Sequence, residues 1–285
     1  MADPVGAMKP ATTLWLTAVA MIAFAANSLL CRLALRDTGI DAASFTSIRI
    51  AAGALMLWSI VRLRRGRRRV AGDWSSATAL FAYAAGFSYA YQSLEAGTGA
   101  LLLFGAVQAT MIGYGLARGE RLSPGAVAGL VLAAGGLIGL LLPGLSAPPL
   151  VGALLMGAAG VAWGIYSLRG RGGGDPAAAT AGNFVRALPL ALVLSLLEIG
   201  ATRLDPAGAA YAAASGALAS GLGYAIWYAA LPGLRAASAA SVQLSVPVIA
   251  ALGGALLLGE TLTLRLLLAA TAILGGIAMV IGSRR

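Results

Sequence analysis

Apolar residues run along this chain in long unbroken stretches, at about 13–35, 44–63, 74–94, 97–117, 124–142, 150–168, 180–199, 207–230, 235–258 and 263–282. Each holds close to the roughly 20 residues that a helix needs to cross the hydrocarbon of a bilayer. Short polar breaks separate them, at Asp41 to Ser44, Gly72-Asp73, Ser123-Pro124, Pro143 to Pro149, Gly172 to Pro176, Asp205-Pro206 and Pro232-Gly233. Such clusters stop one helix and start the next, so the pattern predicts ten helices, consecutive ones neighbours in space. Ala23-Phe24-Ala25 imitates a signal-peptidase site, but the apolar run continues to about Ala34, so the segment is read as a membrane helix that is kept.

Composition sharpens the class. Of 285 residues 59% are hydrophobic and 11% charged, whereas a soluble domain has about 45–50% and about 25%. The polar residues needed to cover a water-facing surface are missing, so the chain is expected in a lipid bilayer as an all-α integral membrane protein.

The net charge of +10 raises the question of a nucleic-acid partner, and position answers it. Arg62, Arg64, Arg65, Arg67, Arg68 and Arg69 sit in one loop between two apolar runs, as expected of a cytoplasmic loop against anionic lipid heads. With the N-terminus inside, 14 basic residues fall on the inner side: Lys9, those six, Arg118, Arg121, Arg169, Arg171, Arg235, Arg284 and Arg285. Only Arg36, Arg203 and Arg265 fall outside, and Arg32, Arg49 and Arg186 lie in or near the membrane. Both termini are therefore expected in the cytoplasm, and the protein in the plasma membrane. Cys31 is the single cysteine, and there is no histidine, the commonest metal ligand and the usual acid/base near neutral pH. No metal, no cofactor and no nucleic acid are expected.

An internal repeat carries the most information. Gly119-Glu120-Arg121-Leu122-Ser123 recurs 140 positions later as Gly259-Glu260-Thr261-Leu262-Thr263, and in the same register Gly135-Gly136 matches Gly275-Gly276. The chain reads as two five-helix units, 1–147 and 148–285. Five is odd, so the second unit enters the membrane from the opposite side. Inverted repeats of this kind are characteristic of secondary transporters, with substrate bound near the midplane.

These features resemble the drug/metabolite transporter superfamily, EamA type: ten helices, two Gly-Glu-x-Leu-Ser/Thr elements leading into a Gly-Gly helix, and one arginine in the second helix of each unit, Arg49 and Arg186. The resemblance implies an exporter or facilitator of amino acids or related metabolites, working by alternating access, and the aromatic amino-acid exporters are the branch it is most similar to. Where that branch carries an aromatic and proline-containing stretch, this chain has Leu103-Phe104-Gly105-Ala106-Val107, which implies a wider range of amino acids. An efflux carrier of cationic drugs is the alternative.

Lipid-facing positions need no polar group, so polar and clustered aromatic residues at mid-helix mark a cavity. Tyr83, Phe87 and Tyr91 share one helix face, as do Trp163, Tyr166 and Ser167, and Tyr224, Trp227 and Tyr228. The first helix offers Phe24, Asn27 and Ser28, the fourth Phe104 and Gln108, the ninth Gln243. The expected substrate-binding set is Phe24, Asn27, Tyr83, Phe87, Phe104, Gln108, Trp163, Tyr166 and Gln243. The amides can donate to a carboxylate, and an aromatic face attracts an ammonium by about 0.5–2 kcal/mol. Trp227 and Tyr228 are expected in an interfacial belt, and Arg49 and Arg186 to snorkel or to pair with helix-end carbonyls.

Glu120 and Glu260 are expected to serve in capping or in fixing the helix that follows. No carboxylate is expected at mid-membrane, where proton-coupled carriers commonly keep one, so facilitated export is preferred. Close helix approach is expected at Gly115/Gly119, Gly135/Gly139 and Gly160/Gly164, and kinks at Pro189 and Pro247. Gly172-Gly173-Gly174-Asp175 imitates an intramembrane aspartyl-protease motif and Ala214-Ser215-Gly216 a rhomboid serine. The first lies in a loop and the second has no histidine to activate it, so no enzyme is expected. Small molecules and lipid are the expected partners of a protein that works as a monomer.

Overall fold

Nearly every polar break in the chain turns out to be a helix cap. In a computed structural model describing residues 10–63, 70–144, 146–170, 175–234 and 236–283, Asp41 Oδ1 accepts from the Ser44 amide at 2.8 Å ahead of α2 (Ala42–Leu63). Asp73 does the same for α3 (Trp74–Tyr91), Ser123 for α5 (Pro124–Leu141), Asp175 for α7 (Pro176–Leu197), Asp205 for α8 (Pro206–Ala214) and Thr263 for α12 (Leu264–Gly282). Each side-chain oxygen satisfies one of the amides that a helix start leaves without a partner. The cap at Asp175, with Pro176 preset for the first helical position, starts the seventh helix at 176 rather than at the expected 180.

The remaining helices are α1 (Pro10–Asp37), α4 (Ala96–Ala117), α6 (Leu150–Arg169), α9 (Gly223–Ala230), α10 (Ala236–Val242) and α11 (Ser245–Leu258). A π-helical segment, Ser215–Leu222, joins α8 to α9. Among the described residues eight spans are long and apolar enough to cross a membrane, namely α1, α2, α4, α5, α6, α7, α12 and Ser238–Leu258, which takes in α10 and α11, and no strand occurs. Two of the ten expected stretches are not among the eight. In α3 polar and aromatic residues, among them Ser75, Ser76, Ser88, Tyr83, Tyr89 and Tyr91, lower the hydropathy, and in 206–230 the π segment divides the helix. The ninth stretch is broken at Gln243 and Leu244. Pro247 has no amide to offer the Gln243 carbonyl four residues back, and the Val246 amide takes that carbonyl instead at 3.1 Å. The expected Pro247 kink is thus realised one turn earlier.

Small residues set the closest approaches. A Cβ on Gly129 would meet the Gly276 carbonyl at 2.5 Å, and one on Gly276 the Gly129 carbonyl at 2.3 Å, so α5 and α12 touch backbone to backbone. Gly160 and Gly164 let α6 reach Leu103, Ala106 and Thr110 of α4, as expected. Gly135 and Gly139 do not follow that expectation, since nothing lies within 4 Å of them. Gly119 and Gly259 turn the chain instead, with left-handed φ of 88° and 64°.

Polar contacts fasten each end of the bundle. At one end Arg32 Nε donates to Glu260 Oε1 at 3.1 Å and its Nη1 to the carbonyls of Tyr91 and Gln92, while Glu260 Oε2 accepts from the Ala96 amide at 2.8 Å. Glu260 therefore caps α4 and ties α1 to it, which is the expected capping role, while it does not fix the helix that follows. Thr263 does that. Glu260→Gln keeps an acceptor for Ala96 and removes the charge from Arg32, so it is expected to lower stability by about 1–3 kcal/mol. The measurement is the melting temperature in detergent, and no change would show that the pair contributes nothing.

At the other end Ser76 and then Arg169, whose Nη2 donates at 2.9 Å, hold the Asp73 carboxyl down to about 2. Arg62 and Arg118 lie there over Trp58 and Tyr114. Lys9, Arg64, Arg65, Arg67, Arg68, Arg69, Arg171, Arg235, Arg284 and Arg285, on which the inside count leaned, lie outside the described residues, as do Gly172, Gly173 and Gly174.

Candidate functional site

Aromatic residues spaced four apart on α3 point one way, and α6, α9 and α1 bring their own rings to meet them. Trp163 lies 4.8 Å from Tyr83, and stacks on Tyr166 and Tyr224 at 5.2 Å each. Phe24 meets Tyr224 and Trp227 edge-on at 5.7 and 6.1 Å. Phe24, Tyr83, Trp163 and Tyr224 line a partly open cavity of about 30 Å³, where one water needs about 10–15 Å³. It has room for about two waters, and an amino acid enters only if the helices part.

Of the nine expected site residues, seven line this cavity: Phe24, Asn27, Tyr83, Phe87, Phe104, Trp163 and Gln243. Gln108 and Tyr166 do not. Gln108 is buried one helical turn beyond Phe104, and Tyr166 stands behind Trp163, donating to Thr180 Oγ1 at 3.2 Å and accepting from Asn183. Gln243 arrives through the break that Pro247 causes. The first-helix Ser28 and the eighth-helix Tyr224 also line the cavity, and so do Leu103, Ala219 and Ser220. Leu103 belongs to the 103–107 stretch singled out in the sequence, whereas Ala219 is a plain apolar residue and Ser220 belongs to a π turn that helical periodicity does not anticipate.

A hydrogen-bond chain orders the polar side. Ser215 Oγ donates to Asn27 Oδ1 at 2.6 Å, which turns the Asn27 amide nitrogen toward Tyr83 Oη at 3.2 Å. Arg49 Nη2 donates to the same oxygen at 2.9 Å, and its guanidinium lies 5.1 Å from the Tyr83 ring centre and 4.8 Å from that of Phe87.

Arg49 therefore neither snorkels nor reaches a helix-end carbonyl. It sits eight residues past its cap, about 12 Å along the axis, and is 2% exposed. Arg186, eleven past Asp175, does pair with carbonyls, those of Ala71 and Gly182. The residue at the cap register of Arg49 is Asn183, so the two arginines do not sit at matching depths. Trp227 is buried against Phe24, and Tyr228 accepts from Thr180 at 3.3 Å, which removes both from the expected belt.

Helices long and apolar enough to cross a membrane thus stand around a buried cavity of aromatic rings, amides and hydroxyls. Residues 150–282 match the EamA-like transporter family. It is 63% identical to Uncharacterized protein PA1977 of Pseudomonas aeruginosa (strain ATCC 15692) over 278 residues, 97% of each chain. A solved crystal structure covering 96% of this chain and 99% of its own superposes with a TM-score of 0.65 at 18% identity, a likeness of fold.

Proposed function

We propose that this transporter exports amino acids, aromatic ones included, by alternating access across the plasma membrane, as two inverted five-helix units, 1–147 and 148–285, with both termini in the cytoplasm. The observation that carries the reading is the central cavity, in which aromatic faces stand opposite amide and hydroxyl groups. A zwitterion with an apolar side chain asks for that combination.

Helix packing supports the inversion. When helices are exchanged between halves, α3 against α6 becomes α8 and α9 against α1, α4 against α6 becomes α11 against α1, and α3 against α7 becomes α8 against α2. All of these contacts are made, and α2–α7, α4–α11 and α5–α12 map onto themselves. The caps repeat in step, with Asp41, Asp73 and Ser123 answered by Asp175, Asp205 and Thr263.

The test is counterflow of labelled phenylalanine and threonine, with an organic cation beside them, in liposomes holding the purified protein. The amino acids are expected to exchange and the cation not to. Movement of the cation alone would establish drug efflux instead, and movement of nothing would reject transport of these classes. No carboxylate lines the cavity, so a proton uncoupler is expected to leave downhill phenylalanine flux unchanged. Collapse of that flux would refute the uncoupled mechanism.

A further inference from the structure

We infer that the cavity selects substrates by a carboxylate, and that the Tyr83 hydroxyl delivers the selecting proton, with Arg49 and Asn27 positioning it from behind. This deepens the reading above by naming the group that must be present on the cargo.

Three observations lead there. Arg49 is a full positive charge in the middle of the bundle, and no carboxylate pairs with it among the described residues. The two rings under it offer partial negative faces only, and its Nη1 has no hydrogen-bond partner. A buried cation of this kind leaves the site short of one negative charge.

Tyr83 Oη is then the route by which that charge is felt in the cavity. It accepts from Arg49 Nη2 at 2.9 Å and from Asn27 Nδ2 at 3.2 Å, which occupies both of its lone pairs. Its own proton has no acceptor among the described residues, and Tyr83 lines the cavity. A phenol that accepts from a guanidinium is polarised into a stronger donor, since linked hydrogen bonds reinforce one another. Ser215 fixes the Asn27 amide, so the arrangement stands ready before any ligand enters.

The third observation is Ser220. Its hydroxyl is 1% exposed, lines the same cavity and has no partner. Two hydroxyl protons at one cavity await an acceptor; an ammonium can take neither proton and could only donate to the Ser220 oxygen, since both lone pairs of Tyr83 Oη are occupied. An uncompensated cation nearby also repels an ammonium, so of the two ends of an amino acid the carboxylate is the one the site requires.

The experiment uses the intact purified protein in detergent with two probes of one shape. 3-Phenylpropionate keeps the carboxylate and lacks the ammonium, and 2-phenylethylamine is the reverse. The acid is expected to raise the melting temperature and to inhibit phenylalanine counterflow, and the amine to do neither. Tyr83→Phe keeps the ring under Arg49 and removes the donor, and is expected to weaken the acid at least tenfold, as loss of a charge-assisted hydrogen bond does. Asn27→Asp supplies the missing charge at nearly the same size, and is expected to abolish the acid response and admit the amine. A purely structural Tyr83 would not change the acid-to-amine ratio.

Equal stabilisation by both probes, stabilisation by neither, or an acid response that survives in Tyr83→Phe would overturn the inference, and the comparison of the two probes on the unmodified protein decides even if a variant does not fold. If phenylalanine is not carried while the acid still stabilises, amino-acid export fails and carboxylate selection stands.

Discussion

Trp163→Ala is expected to cut amino-acid flux at least tenfold while leaving the protein folded in the membrane. The indole is shared by three rings, with Tyr83 at 4.8 Å and Tyr166 and Tyr224 at 5.2 Å. Each such pair contributes about 0.5–1.5 kcal/mol beyond burial. Full truncation of a tightly packed tryptophan costs about 3–5 kcal/mol, but Trp163 is only partly buried and one face looks onto the cavity, so its fold cost is smaller. Its loss removes the wall between the α3 and α9 rings that a side chain on the substrate would press against. A tenfold loss needs only about 1.4 kcal/mol of lost contact. The measurement is initial counterflow rate divided by the amount of folded protein, and Trp163→Phe is expected to recover most of it. If flux and folded protein fall together, the tryptophan is packing and not wall.

Gly216→Ala is expected to prevent the native bundle from forming. A Cβ there would sit 2.1 Å from the Arg49 carbonyl oxygen and 3.0 Å from the Ala52 Cβ, so the π segment and α2 meet backbone against backbone. Inserting one methyl into a packed contact costs about 1–3 kcal/mol, and more where rigid backbone is the neighbour. The damage is directed at the site, because the carbonyl struck belongs to the residue whose guanidinium holds Tyr83. Gly113→Ala and Gly135→Ala are the controls, with nothing within 4 Å of either added methyl. They are expected to fold and melt as the unmodified protein does, and a Gly216→Ala protein matching them would show that α2 yields.

The sequence read well wherever one residue type had one physical use. Asp and Ser before an apolar run announced breaks between helices, and in the structure those breaks hold the caps. Aromatics four apart on α3 announced a shared face, and that face meets the cavity. Failures came where an outcome depended on which neighbour a helix meets. Arg49 and Arg186 look alike as arginines in apolar helices, but one finds a phenol and two rings and the other finds the Ala71 carbonyl of a crossing loop and the Gly182 carbonyl of its own helix. Gly135 and Gly136 are adjacent, yet only Gly136 touches α12, because a helix turns about 100° per residue and shows its partner one of the two. Glu260 caps α4, a helix far from it in sequence, and no local pattern carries that partner. Ser220 and Ala219 reach the cavity through a π turn, for which helical periodicity gives no warning.

That π segment has a mechanical consequence. A π turn holds an additional residue compared with an α turn, so residues 215–222 keep surplus chain inside a helix that is otherwise full. Reeling in that slack by one residue would swivel everything after it by on the order of 100°. Tyr224 and Trp227 ride on the far side, so the swivel would lift both rings away from Trp163 and Phe24. The eighth stretch thereby carries its own winding key, set beside the residues that a passing solute has to clear.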